Sequence, residues 1–399
     1  MIRAVLFDLD DTLLSNDMNR FLPAYLQLVA QDLAAVVPPE RLVTELLRGT
    51  SAMLANRDPE KTLQQAFAEV FYPGVGQGEH TLAPLFEAFY RGRFEQLKEL
   101  TRPRSEAPSI VQSLHSAGYL VSVATNPVMP AIAVAARLRW AGLSGESVPF
   151  ALIASFEGFH FAKPDPAFFV EMTARLGLSP AEAAMVGNSL ADDIEPAARL
   201  GMPTYLVGEP AAPAAAAGPL SDVPAWVKTL DGARPDLDGD GVTLEARLRG
   251  SLAALRTLCV DLTSNGWATP GPDAGWSATE IACHLRDVER EVNLPRLEAV
   301  LTQDDPFLPA SDPDQWATPR DYPSQSGIAA LRDFTAARQG LLAHLRALGP
   351  EALRRPARHA LLGPTRLHEL MAIVAEHDVL HLRQLLDVIG PPPSAPVIA

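Results

Sequence analysis

Ala4-Val5-Leu6-Phe7-Asp8-Leu9-Asp10-Asp11-Thr12-Leu13-Leu14 opens the chain with an apolar run that stops abruptly at carboxylates. The nearly all-apolar segment Ile2 to Phe7 predicts a strand buried on both faces, as in the interior of a parallel sheet. Three acids at the end of a buried strand are electrostatically costly unless something positive sits among them. The carboxyl edge of an open α/β sheet is also where ligands bind. The stretch therefore predicts a hard-cation site beside a nucleophilic carboxylate, with Mg²⁺ suiting all-oxygen ligands. The competing reading is a strand that runs into a solvated acidic turn.

From Asn16 to about Arg102 the apolar spacing turns helical, in four groups around Phe21–Leu33, Leu42–Leu47, Leu63–Phe71 and Leu85–Leu97. Four helices inserted directly after the first strand would form a lid over its carboxylates. Strand–helix alternation then resumes. Strands are expected at Tyr119–Ala124, Ala151–Ala154, Ala183–Gly187 and Pro203–Val207, with helices at Ile110–Ala117, Ala167–Leu176 and Asp192–Leu200. That rhythm predicts a doubly wound parallel α/β sheet of Rossmann-like type. Residues 209–241 read as an Ala/Pro-rich linker with a short helix near Trp226, overlapping the end of the core. Asp236-Leu-Asp238-Gly-Asp240-Gly241 opens like an EF-hand loop, but Arg247 stands where the bidentate Glu is required, so an acidic turn is expected. Beyond Gly241 the pattern is helical, with helices at Thr243–Asn265, Ser277–Gln303, Ser326–Ala347 and Thr365–Ile389 and no strand, an all-α four-helix bundle. The expected boundaries are 1–15 and 103–230 for the core, 16–102 for the cap and 242–392 for the bundle.

At 399 residues, two or three domains of about 100–200 residues each are expected. The net charge of −15 argues against nucleic acid as a partner. The N-terminal apolar run is too short for a signal peptide, and no apolar stretch approaches the ~20 residues of a membrane span. With only Cys259 and Cys283, there is no disulfide framework and a cytoplasmic location is expected. Lys61, Lys98, Lys163 and Lys228 are the only lysines, so a lysine at a motif position carries weight.

Asp8 and Asp10 follow the first predicted strand, Thr125 the second, Lys163 the third, and Asn188 with Asp192 and Asp193 the fourth, all at one sheet edge. Asp8-Leu-Asp10-Asp-Thr12, Val123-Ala-Thr125-Asn126, Lys163-Pro and Gly187-Asn188-Ser189-Leu-Ala-Asp-Asp193-Ile together resemble the four ordered motifs of the haloacid dehalogenase superfamily. The helical insertion is similar to the α-helical cap of one subgroup. The resemblance implies Asp8 as nucleophile of a Mg²⁺-dependent phosphatase acting on a small phosphorylated metabolite through an aspartyl-phosphate, with Asp10 as general acid and base. Thr125 and Lys163 would hold the phosphoryl oxygens, and Asp8, Asp10, Asn188 and Asp193 would hold the metal. The dehalogenase branch generally lacks the acid at Asp10 and works without Mg²⁺, which favours phosphoryl transfer. Asn188 departs from the usual Asp and removes one negative charge from the metal site. Arg20, Arg91, Arg93 and His80 are cap residues able to meet an anionic substrate, though a solvated helix face accounts for them as well.

His377 and His381, four apart on a helix, share one face, and His284 on another apolar-periodic helix can supply a third ligand. Gly275-Trp276-Ser-Ala-Thr-Glu280-Ile, His284-Leu-Arg-Asp287 and Glu-His377-Asp-Val-Leu-His381-Leu-Arg-Gln384 resemble the DinB-like four-helix superfamily. That resemblance implies a divalent metal such as Zn²⁺ or Ni²⁺ on the three histidines, with a low-molecular-weight thiol among the partners. Two other readings stand beside the phosphatase fusion. In one, Asn188 marks a degenerate hydrolase and the bundle is a thiol-transferase-like or metal-binding module. In the other, the bundle serves only oligomerisation, as in a homodimer.

Overall fold

The computed structural model describes residues 1–144, 149–212, 214–230 and 240–390. They fall into two compact units: the first holds residues 1–172 and 180–230, the second 240–390 with Thr173–Ser179.

The first unit begins with β1 (Ala4–Phe7), every residue of which is buried. After the turn at Asp8–Leu13, β2 (Leu14–Asn16) leads into α1 (Met18–Asp32), α2 (Pro39–Ala55), α3 (Leu63–Val75) and α4 (Glu79–Arg91). A 3₁₀ segment, Arg93–Leu100, then leads to β3 (Thr101–Pro103), which pairs antiparallel with β2. Entry to and exit from the inserted helices are thereby tied into one two-stranded ribbon. Local sequence fixes the helix starts: Asp17 caps α1 by accepting from the Asn19 amide, and Thr62 with Gln65 forms a capping box on α3. The apolar stripes meet in an aromatic cluster of Phe21, Tyr25, Phe89, Tyr90 and Phe94, closed by Trp140.

The remaining elements are α5 (Ala107–Ser116), β4 (Leu120–Val123), α6 (Ala131–Trp140), β5 (Leu152–Ile153), α7 (Pro166–Ala174), β6 (Ala183–Gly187), α8 (Glu195–Arg199), β7 (Thr204–Val207), β8 (Ala216–Gly218) and α9 (Val223–Val227). Six parallel strands lie in the order β5-β4-β1-β6-β7-β8. The doubly wound sheet is as the alternation predicts. Helix α6 was not expected, because its run Ala131-Ile-Ala-Val-Ala-Ala-Arg-Leu-Arg-Trp lacks clear amphipathic spacing; its residues are buried almost all round. Within residues 209–241, expected as a linker overlapping the end of the core, a strand was not foreseen. Ala216–Gly218 is the sixth strand and Val223–Val227 packs on the core through Val223 and Val227, so much of that stretch belongs to the first unit. Small residues there read as low complexity, yet their small side chains suit an edge strand against Tyr205.

The second unit contains α10 (Gly241–Cys259), α11 (Ser264–Ala268), α12 (Ala278–Val288), α13 (Leu294–Thr302), β9 (Phe307–Leu308), α14 (Gly327–Arg346), α15 (Pro350–Leu353), β10 (Pro356–His359), β11 (Gly363–Arg366) and α16 (Leu367–Ile389). The helical bundle is as expected, and the absence of strands is not: β9, β10 and β11 form a small sheet in the order β11-β10-β9. The predicted helix Ser277–Gln303 is interrupted by a π-helical turn, Glu289–Asn293, next to Pro295 at the start of α13. Most of the EF-hand-like stretch lies outside the described residues. Its Asp240 caps α10 by accepting from the Thr243 amide at 2.7 Å. Among the described residues, no helix is long and apolar enough to cross a membrane.

Candidate active site and candidate metal centre

Strand register places the first set of polar residues. Phe7 lies opposite both Val123 of β4 and Val186 of β6, so Asp8, Thr125 and Asn188 emerge together at the carboxyl edge. Lys163 comes from the loop between β5 and α7. That loop is anchored to the inserted helices by hydrogen bonds from the Leu63 amide to the Phe159 carbonyl (2.8 Å) and from Asn56 Nδ2 to the His160 carbonyl (2.8 Å). Lys163 Nζ donates to Asp8 Oδ1 at 2.8 Å and to Asp193 Oδ1 at 2.5 Å, and all three side chains are buried. Asp193 stands on a π-helical turn, Leu190–Ile194, and its second oxygen accepts from the Ser189 amide at 3.0 Å. Gly187 makes room for it: a Cβ there would lie 2.3 Å from Asp193 Oδ2. Thr12 Oγ1 donates to Asn188 Oδ1 at 3.4 Å, and Asp192 accepts from Ser189 Oγ at 3.0 Å.

Asp8, Lys163 and Asp193 are thus in direct contact, and Asp10, Thr125 and Asn188 line the same cavity, of about 840 Å³. Of Arg20, Arg91, Arg93 and His80, Arg91 alone lines it, and Arg93 points instead to Asp32 and Gln31.

Burial is the main influence on Asp8, and it pushes the carboxyl up to about 7. Lys163 opposes that shift, while Asp193 and Asp10 add to it. Burial also works against the charge on Lys163, but Asp193 and Asp8 outweigh it and raise the ammonium above its ordinary value. A carboxylate surface left short of positive charge, with an amide oxygen at Asn188 beside it, matches what a hard divalent cation requires.

Two residues that the sequence reading left without a role complete the geometry. Arg137 of α6, itself buried, donates from Nη1 to Asp10 Oδ2, while Asn16 Nδ2 donates to Asp10 Oδ1 at 2.8 Å. Both Asp10 oxygens are therefore engaged. The available signal was an arginine inside the otherwise apolar run Ala131–Leu138, where an unpaired charge would not be tolerated.

In the second unit, His377 and His381 project from α16 and His284 from α12. Their Nε2 atoms converge, with His284–His377 at 3.2 Å and His381–His377 at 3.0 Å. A single proton cannot satisfy two such contacts to one nitrogen, whereas a shared cation can. A tetrahedron of ligands about 2.0–2.1 Å from a metal has edges of roughly 3.3 Å, close to these separations. Burial drives all three imidazoles neutral. It brings His284 down to about 3, helped by His381 and His377, and His377 down to about 4, helped by Arg338. His381 also falls to about 4, through burial and then His377. Neutral imidazole is the ligating form. His381 Nδ1 lies 2.8 Å from Gln384 Oε1, which orients the ring with its Nε2 lone pair toward the other histidines. Trp276 covers the cluster, stacked on His381 at 6.1 Å and tilted over His284 at 4.8 Å.

Comparison with known proteins matches both units. Residues 247–385 match the model of the DinB superfamily. Glyceraldehyde 3-phosphate phosphatase of Methanopyrus kandleri is 28% identical over 216 residues, covering 52% of this chain and 84% of the relative. A protein of Oceanobacillus iheyensis provisionally named a metal-dependent hydrolase is 25% identical over 131 residues, 33% of this chain and 75% of its own. Among solved structures, a 2-haloacid dehalogenase from Pseudomonas syringae pv. Tomato DC3000 is 24% identical, with 57% of this chain and 99% of that one covered at a TM-score of 0.41. Residues 2–201, half of the chain, match the model for haloacid dehalogenase-like hydrolases, and the chain belongs to that family.

Proposed function

We propose that the first unit is a Mg²⁺-dependent phosphomonoesterase working through an aspartyl-phosphate on Asp8. The observation that carries the reading is the Lys163 ammonium bridging Asp8 and Asp193 at the floor of a cavity. A lysine in that position keeps the nucleophile ionised and meets the oxygens of an incoming phosphoryl group. Asp8 attacks phosphorus, forming an acyl-phosphate bond as the ester oxygen leaves with a proton from Asp10. A water then attacks phosphorus and gives its proton to Asp10, which frees Asp8 and inorganic phosphate. To carry that proton, the Asp10 carboxyl must release Arg137 or Asn16. Thr125, at the end of β4, and Lys163 hold the phosphoryl oxygens. Asp8, Asp10 and Asn188, with Asp193 nearby, would hold Mg²⁺, which supplies charge neutralisation on the phosphoryl group. In this reading, residues 16–102 are the cap and 1–15 with 103–230 the catalytic core. The acid at Asp10 and the phosphatase among the relatives favour phosphoryl transfer over carbon–halogen cleavage. Hydrolysis of phenyl phosphate with Mg²⁺, lost at least a thousandfold in Asp8→Asn, is the expected result. Unchanged turnover in that variant contradicts the proposal.

We further propose that His284, His377 and His381 hold one transition-metal ion such as Zn²⁺ or Ni²⁺, within a domain spanning 242–392. The carrying observation is the convergence of three Nε2 atoms, those of His284 and His381 buried and that of His377 half-buried. Metal analysis of the purified chain should return one ion per chain, and none in His377→Ala.

A further inference from the structure

We propose that the ester accepted by the first unit has an uncharged, largely apolar body, aromatic or alkyl, rather than a second anionic group or a short polyol. The inference rests on the phosphatase reading and goes further, to the substrate class. The cavity that starts at Asp8 and Lys163 is about 840 Å³, in the upper part of the ~300–1,000 Å³ typical of sites that enclose drug-sized molecules. Away from the carboxylates, its walls include Leu22, Leu26, Met53, Phe67, Phe86 and Phe156. Tyr25 and Tyr90 also face it, but their hydroxyls hydrogen-bond to each other at 2.8 Å, so they present mainly ring surface. Thr50 offers little more, since its hydroxyl donates back to the Leu46 carbonyl.

The charges on the wall select against a second anion. The cations lining it are Lys163, Arg137 and Arg91, and each faces a carboxylate: Asp8 and Asp193, Asp10, and Glu87 respectively. Asp17, Glu79 and Glu157 add further negative charge to the lining. A carboxylate or second phosphate on the substrate would therefore meet like charge and no uncommitted cation among these groups. A polyol phosphate would set hydroxyls against these apolar walls and give up hydrogen bonds to water there, although Asn19, Gln64 and Tyr72 also line the cavity. An alkyl or aryl body removes both penalties and buries apolar surface.

The test is kcat/KM of the full chain with Mg²⁺ for butyl, hexyl and octyl phosphate, 1-naphthyl phosphate, glyceraldehyde 3-phosphate, phosphoglycolate and fructose 1,6-bisphosphate. Full burial would give about fourfold per methylene, the factor corresponding to ~0.8 kcal/mol. At least a tenfold rise from butyl to octyl is expected, with naphthyl and octyl phosphate at least tenfold above the three polar esters. Leu22→Arg places a cation on the wall at a partly exposed position and should lower the octyl-to-phosphoglycolate ratio about tenfold. A flat alkyl series, or a polar ester preferred tenfold, overturns the inference while leaving Asp8-dependent phosphatase activity standing. No hydrolysis of any ester overturns both.

Discussion

Burial forces the Asp8 carboxyl toward neutrality, and the buried Lys163 ammonium opposes that shift. The same physics acts on the Cys259 thiol at the end of α10, where burial alone pushes it up to about 12. A thiol with a raised value keeps its proton in the folded state above pH 9, where the unfolded chain has begun to lose it. Stability should therefore fall as pH rises from 9 toward 12, by up to about 1.4 kcal/mol per pH unit. Urea titrations of wild type and Cys259→Ala across that range should show the slope reduced in the variant. A slope unchanged by the substitution would place its origin elsewhere. At neutral pH, Cys259 should resist alkylation until the protein is denatured, as mass spectrometry of reagent-treated protein would show.

At the scale of elements, two close approaches set the geometry. The end of β6 passes so near Asp193 that Gly187 has no room for a side chain. Gly187→Ala should displace Asp193 from Lys163, cost about 1–3 kcal/mol in chemical denaturation, and lower turnover at least tenfold. Retention of both would mean that the Leu190–Ile194 turn yields freely. In the bundle, Arg338 of α14 is buried between Glu289 and Asp378, with its guanidinium bonded to both. Arg338→Met leaves two buried carboxylates uncompensated and should destabilise the fold by about 3–5 kcal/mol. Replacing all three by apolar residues of similar volume should recover most of that loss. These elements were unequally legible in sequence. Short, nearly continuous apolar runs announced β1, β4 and β6, because a strand buried on both faces leaves an uninterrupted signature. The π-helical turn at Glu289–Asn293 was hidden, since the residues around it remain helical in spacing and Arg338, Glu289 and Asp378 meet only through tertiary packing. Strand β8 was hidden for the opposite reason: Ala216-Ala-Gly carries almost no side-chain information, and its pairing with β7 decides its state.

For the whole molecule, each unit has its own buried core and its own cluster of chemically capable side chains. Independence should follow. Asp8→Asn should leave the metal content of the second unit unchanged, and His377→Ala should leave phosphate-ester turnover within twofold of wild type. A loss of turnover in His377→Ala, at unchanged stability, would instead make the two sites energetically coupled. The convergence of Asp8, Lys163 and Asp193 could be anticipated from strand order, because parallel strands deliver their ends to one edge. The grip of Arg137 and Asn16 on Asp10 could not, since nothing in a linear reading links residue 137 to residue 10.

The central claim is covalent chemistry at Asp8. Full-length protein mixed with a hydrolysable phosphomonoester and Mg²⁺, acid-quenched within one turnover and mapped by peptide mass spectrometry, tests it directly. One phosphoryl group on the peptide carrying Asp8, absent in Asp8→Asn, is the predicted result. Rapid hydrolysis with no label on that peptide, or with the label on another residue, would contradict it.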